Sequence, residues 1–181
     1  VPPGTTTHTY SSPGNYNVAL RVTDDKLATA MDTSKYVVVN VAHGWAIASP
    51  NPDSTNAVGL YNSLALLSDG YPAIAYRDNT SGDLMFVHAD DPSGDTWRMP
   101  QRLDTAGDTG YDLSMAVVNE NPAICYHTYP YGGLKYIRST DSSGNAWDTP
   151  RVLDSSGIVG WFTSLAVVDE VPAISYLDYS T

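Results

Sequence analysis

The chain repeats itself every 50 residues. Ser63-Leu64-Ala65-Leu66-Leu67 leads to Tyr71-Pro72-Ala73-Ile74-Ala75-Tyr76. Ser114-Met115-Ala116-Val117-Val118 leads to Asn121-Pro122-Ala123-Ile124-Cys125-Tyr126, and Ser164-Leu165-Ala166-Val167-Val168 to Val171-Pro172-Ala173-Ile174-Ser175-Tyr176. The prolines are 50 apart (122 − 72 and 172 − 122), as are Trp97 and Trp147, Gly94 and Gly144, and Leu84 and Leu134. Residues 147–181 match 97–131 at 16 of 35 positions, far more than unrelated segments share. A unit recurring at this length is one supersecondary block that must stack on its neighbours to bury its apolar face.

The block reads as strands. In the second copy the pattern predicts them over Trp97–Asp104, Leu113–Asn119, Pro122–His127 and Gly133–Thr140. Acidic or glycine-rich turns separate them: 104–108, 119–121 and 141–145. Short runs rich in Val, Ile and Tyr between closely spaced turn signals indicate β structure. Composition agrees: of 20 acids only Glu120 and Glu170 are Glu, so the acidic residues are mostly turn-forming Asp. Each Pro of Pro-Ala-Ile falls at a strand start, where a missing N–H is tolerated. The tryptophan that opens each unit is expected to pack between sheets. Four antiparallel strands per unit make a blade of a β-propeller.

The units, with Ser-Leu-Ala-Val-Val, Pro-Ala-Ile-Ser-Tyr, Gly-Leu-Lys-Tyr, Asp-Ser-Ser-Gly-Asn-Ala-Trp and Pro-Arg-Val-Leu-Asp, resemble propeller-like repeats of large secreted or surface proteins of bacteria and archaea. They are distantly similar to the sialidase Asp-box group, whose pattern is Ser-x-Asp-x-Gly-x-x-Trp. Ser139-Thr140-Asp141-Ser142-Ser143-Gly144-Asn145-Ala146-Trp147 carries one residue more between Asp and Gly, and Asp91-Pro92-Ser93-Gly94-Asp95-Thr96-Trp97 lacks the Ser. The resemblance covers about 45–181. It implies a fold and an extracellular or cell-surface location rather than an activity.

Residues 1–41 differ. His8-Thr9-Tyr10-Ser11-Ser12-Pro13-Gly14-Asn15-Tyr16-Asn17-Val18-Ala19-Leu20-Arg21-Val22-Thr23-Asp24 alternates strictly from Tyr16 to Val22, the mark of a half-buried strand, and a second strand is expected over 34–41. This run is similar to the C-terminal half of a PKD domain, an immunoglobulin-like sandwich; such sandwiches need about 100 residues. The expected organisation is part of a PKD-like sandwich at 1–41, a linker or degenerate blade start at 42–62, and incomplete propeller-like repeats at 63–181. The chain thus reads as beginning inside a sandwich and ending inside a blade, with flanking parts of the same long chain, or other copies, covering the terminal faces.

Several possible chemistries stand beside plainer structural roles. Lys and Arg total 9 against 20 acids, a net charge of −11, which argues against nucleic-acid partners. No apolar run approaches the ~20 residues of a membrane span. Cys125 sits in an apolar run and reads as a small core residue. Glu120 and Glu170 would suggest a glycosidase pair but hold the same repeat position, so turn chemistry explains them. Arg77, Arg98, Arg102, Arg138 and Arg151 read as charged strand faces. Asp-rich turns offer hard oxygen ligands for Ca²⁺, with Asp78, Asp83, Asp104 and Asp108 the candidates; no other cofactor is expected. Tyr111, Tyr129, Tyr131 and Trp161 recur less regularly than Tyr76, Tyr126 and Tyr176 and lie near turns, where exposed rings beside Asp would stack on sugars.

Three functions follow as expectations. The first is a non-catalytic structural or adhesion segment of a large extracellular or cell-surface repeat protein, one that could form filaments. The second is a carbohydrate-binding, lectin-like propeller that recognises surface glycans. The third is an accessory part of a glycoside hydrolase whose active residues lie elsewhere. The first is favoured, because near-identical units imply a repeated structural role.

Overall fold

A computed structural model describes residues 20–23, 29–32, 57–130 and 133–180. The chain divides into two compact units, Val1–Ile47 and Ala48–Thr181. In the first, β1 (Leu20–Thr23) and β2 (Thr29–Asp32) pair antiparallel, Leu20 opposite Asp32 and Thr23 opposite Thr29. β1 overlaps the end of the strand expected from the alternation, Tyr16–Val22, and runs one residue past it. Its partner lies upstream of the expected 34–41 strand, which is outside the described residues.

The second unit is built of antiparallel sheets, and the described residues contain no helix. Sheet 1 runs β3 (Val58–Leu66), β4 (Pro72–Asp78), β5 (Asp83–His88), β6 (Gln101–Asp104). Sheet 2 repeats it as β7 (Asp108–Val118), β8 (Asn121–Tyr129), β9 (Gly133–Arg138), β10 (Arg151–Asp154). Sheet 3 has β11 (Val159–Val168) and β12 (Val171–Asp178). The first strands β3, β7 and β11 lie against one another, so the sheets stack side by side with those strands innermost.

Two boundaries differ from the sequence reading. The stretch Trp97–Asp104 was expected to open the second unit, but its strand portion, β6, pairs with β5 and closes sheet 1. Trp97 itself makes only an isolated bridge to Ala89. Sheet 1 also starts at Val58, inside the expected linker. Its alternation is hidden by irregular pairing between Val58 and Ser63, with Gly59 at φ 89° and Tyr61 at φ 49°. The irregularity recurs: Gly110 and Asp112, then Gly160 and Phe162, have positive φ at the matching places in β7 and β11. Bulges bend and twist a strand. These bring the first strands close to the preceding sheet, and a Cβ on Gly160 would lie 2.9 Å from the Leu134 backbone.

The repeated motif now has a physical reading. In Pro-Ala-Ile-x-Tyr the residues alternate faces. Small side chains point forward to the next sheet, and large ones point back to the preceding sheet. Ala73, Ala75, Leu84 and Phe86 of sheet 1 receive Met115, Ile124 and Tyr126 of sheet 2 in one cluster. Ala123, Cys125 and Leu134 receive Leu165 and Ile174 of sheet 3 in the next. Trp147 meets Phe86 edge-on with ring centroids 4.9 Å apart, a tryptophan between sheets as expected. Cys125 is fully buried, and burial raises its thiol pKa.

Candidate functional site

The polar groups gather at the seams between sheets. Counting by equivalence, Arg77 of β4 corresponds to His127 of β8, and Tyr111 of β7 to Trp161 of β11. At seam 1–2 the Arg77 guanidinium lies 4.1 Å from the centre of the Tyr111 ring and forms an ion pair with Asp108. Its Nη1 donates to the Thr109 carbonyl. The Tyr111 hydroxyl donates to the other Asp108 oxygen at 2.7 Å. Burial, and then that carboxylate, raise the Tyr111 pKa, opposed by Arg77. Arg77, expected as a strand-face charge, is only 3% exposed.

At seam 2–3 a neutral pair replaces this one. His127 stacks on Trp161 with centroids 4.5 Å apart and planes 30° from parallel. Its Nδ1 donates to the Val159 carbonyl at 2.9 Å, which leaves Nε2 as the unprotonated nitrogen. Desolvation lowers the His127 pKa below its ordinary value, against the Val159 carbonyl and the Asp112 charge.

Of the four ring candidates, Tyr131 is outside the described residues. Tyr111 and Trp161 sit near the starts of their strands, a few residues after a turn, opposite His127 and Leu177 and at equivalent repeat positions. Both are half-buried in seams. Only Tyr129 is open, at 49% exposed, with its ring 5.8 Å from Tyr111. Tyr61 approaches Tyr111 from sheet 1 at 5.3 Å. The sequence reading missed Tyr61, Arg77 and His127 as members of this band. The signal available was the one-residue offset between units before the Pro-Ala-Ile turn: Ser63 and Ser114 are 51 apart, Ser114 and Ser164 are 50 apart. Beside the rings a shallow cleft of about 450 Å³ opens over Arg77, Ser81, Gly82, Asp108 and Tyr111.

The four candidate calcium ligands are taken up by separate protein donors. Asp78 accepts from the Thr80 and Ser81 amides. Asp83 pairs with Arg102 at 3.1 Å. Asp104 accepts from the Tyr126 hydroxyl at 2.7 Å and from Lys135 at 2.9 Å, across seam 1–2. Asp108 holds Arg77. No cluster of three or more acidic, His or Cys side chains suited to a metal occurs among the described residues. Glu120 and Glu170 lie in tight turns with φ of 69° and 64°.

The Asp turns are closed on themselves. Asp141 accepts from the Ser143, Asn145 and Ala146 amides, and Trp147 Nε1 donates to the Gly144 carbonyl at 2.8 Å. Burial would raise the Asp141 pKa, but those amide bonds outweigh it and hold it low. Asp91 repeats the arrangement with Ser93 and Thr96, whose hydroxyls hold its pKa well below the usual range. Both aspartates therefore serve as turn-forming acceptors.

No family model and no curated protein matches this chain.

Proposed function

We propose that the chain is a non-catalytic structural or adhesion segment of a large extracellular or cell-surface repeat protein. In this reading 58–181 form part of a β-propeller, and 1–41 part of a PKD-like sandwich. The observation that carries it is the recurrence of one inter-sheet interface. Forward-face residues Leu67, Ala73 and Ala75 are 3%, 0% and 0% exposed, and Val118, Ala123 and Cys125 are 1%, 0% and 0%. The matching Val168 of sheet 3 is 57% exposed. On the opposite face Leu64 of sheet 1 is 68% exposed, whereas its equivalents Met115 and Leu165 are 6% and 8%. The two ends thus present complementary halves of the interface that the middle makes twice. A heterologous contact of this kind propagates into a ring or an array. The polar residues at the seams are engaged in holding sheets together, which supports a structural use of them.

A second reading, carbohydrate binding, has one observation in its favour: the rim of Tyr61, Tyr111 and Tyr129 beside an open cleft. A fluorogenic glycoside panel run beside a glycan array separates the two. The structural reading expects no turnover and no glycan retention. Turnover abolished by a substitution within 57–180 would defeat it, and glycan binding lost on Tyr129→Ala would put the second reading first.

A further inference from the structure

Sheet 2 carries a cleft of about 390 Å³ on its outer half, lined by Tyr136, Arg138, Asp148, Arg151 and, from sheet 3, Pro172. The matching place on sheet 1 is filled. There the Asp141–Trp147 turn of sheet 2 lies on β5 and β6. Gly144 abuts the Phe86 ring so closely that a Cβ would come within 2.5 Å of it. Trp147 meets the same ring edge-on. Gln101 Nε2 donates to the Gly144 carbonyl at 2.9 Å, and Arg98 Nη1 to Asn145 Oδ1 at 2.9 Å. One repeat onward, Phe86 becomes Tyr136, Gln101 becomes Arg151 and Arg98 becomes Asp148. These three line the cleft. A second observation concerns the neighbouring strand. In sheets 1 and 2 the strand carrying Pro-Ala-Ile pairs on both edges, with β3 and β5 or with β7 and β9, whereas among the described residues β12 pairs with β11 alone.

We propose that this cleft is a socket for the tryptophan-tipped turn, Asp-x-x-Gly-x-x-Trp, of a further repeat, whose preceding strand pairs with the free edge of β12. The occupant is a hairpin of this chain's own repeat type. Continuity with seam 1–2 sets its placement: glycine over Tyr136, indole against that ring, and the glycine carbonyl facing Arg151. The socket has its own preference. Where sheet 1 carries Gln101 and His88, sheet 2 carries Arg151 and Arg138, both lining the cleft. By the same equivalence the residue after the glycine, Asn145 against Arg98 in seam 1–2, meets Asp148 in the cleft, so an acidic residue there faces a like charge and asparagine, which can donate its amide, is the better fit. The inference rests on the modular reading of the preceding section.

The test keeps the full chain and fuses to Thr181 a second copy of residues 132–154, the segment holding β9, the Asp turn and β10. The fused protein is expected to melt higher than the 181-residue chain by about 5 °C or more. The β12 amides gain protection from hydrogen exchange, and the added tryptophan shows buried, blue-shifted emission. Alanine in place of that tryptophan, or Tyr136→Ala in the socket, removes the gain. Tyr136→Ala is also made in the unfused chain, where it has the smaller effect, so a folding defect is separable from a docking defect. Replacing the asparagine of the added turn by aspartate lowers the melting point, and Asp148→Asn removes that loss. An added segment with unprotected β12 amides, solvent-exposed tryptophan and no thermal gain overturns the proposal. That outcome leaves a non-hydrolytic role standing, while glycoside turnover would sink that role and leave the socket intact.

Discussion

Seams 1–2 and 2–3 are made from the same backbone and different chemistry. In each, a bulged first strand with a positive-φ glycine presses on the previous sheet, and a serine hydroxyl accepts an amide of the next one. Met115 N–H donates to Ser63 Oγ at 3.1 Å, and Leu165 N–H to Ser114 Oγ at 3.0 Å. A tyrosine–aspartate bond also recurs, Tyr126 to Asp104 and Tyr176 to Asp154, each at 2.7 Å. The Ser156 hydroxyl, then Tyr176, lower the Asp154 pKa to about 2. The innermost pair differs: a buried Arg77 with Asp108 and Tyr111 in one seam, a neutral His127 on Trp161 in the other. The repeat is thus fixed by backbone approach and small-on-large packing, and the pair beside it is free to vary provided it fills the space.

The sharpest break of this comparison uses two glycines. Gly94 and Gly144 hold the same turn position at φ 74° and 73°. A Cβ on Gly94 would meet Pro72 at 3.3 Å, while one on Gly144 would sit 2.5 Å from the Phe86 ring of another sheet. Gly94→Ala is expected to cost about 1–2 kcal/mol, from the left-handed backbone. Gly144→Ala adds overpacking, for roughly 2–5 kcal/mol in all. Urea melts of the two variants check this; equal losses would show that seam 1–2 yields at the turn.

Next in size is the ion pair. Asp108→Ala leaves the buried Arg77 with a carbonyl and a ring face but no counter-charge, and a loss of about 2–3 kcal/mol is expected. The equivalent Ile158 is 44% exposed. Ile158→Ala should therefore cost under about 1 kcal/mol. Similar denaturant midpoints for the two variants would mean that the cation–ring pair is incidental to seam 1–2.

Protonation distinguishes the seams with a smaller effect. The His127 pKa is depressed in the folded state by desolvation. Below the unfolded value of 6.5 the unfolded chain therefore binds more protons. The stability that neutral His127 contributes is present above pH 6.5 and is lost as pH falls through its lower folded pKa. Melting temperature should drop on acidification from pH 7.5 to 5, and His127→Gln should flatten that slope. Arg77→Gln should leave it unchanged, since a guanidinium does not titrate there. A slope unaffected by His127→Gln would remove seam 2–3 as its origin.

The sequence made the sheets readable because the signal was redundant: three copies of Ser-x-Ala and Pro-Ala-Ile fix period, strand type and face. Hydrogen-bond partners were less legible. Trp97–Asp104 and the strand after it are contiguous in sequence, but β6 pairs backward to β5, which periodicity cannot reveal. The seam pairs were hidden further. Arg77, Tyr111, His127 and Trp161 look unrelated until strand pairing aligns them, and the extra residue in the 67–71 turn shifts the upstream half of the first unit by one. Charge alone suggested arginines on strand faces and metal-binding aspartates. In the structure Arg77 pairs with Asp108, and Asp104 accepts from Tyr126 and Lys135, both across seam 1–2.

The smallest expected effect concerns the one cysteine. Cys125 holds the place of Ala75 in sheet 1 and Ser175 in sheet 3. If that place asks only for a small side chain facing the next sheet, Cys125→Ala costs at most about 1 kcal/mol, the worth of one lost methylene-sized group. The thiol then becomes a reporter. It is fully buried and its pKa is raised, so little thiolate exists at neutral pH and none is accessible. Labelling by a water-soluble disulfide reagent should proceed only through opening of seam 2–3, at a rate far below that of the urea-unfolded chain. The rate should rise when His127 is protonated, and Asp108→Ala, acting at the other seam, should change it less than it changes global stability. Fast native labelling at pH 7 would mean that the two seams do not share one packing rule.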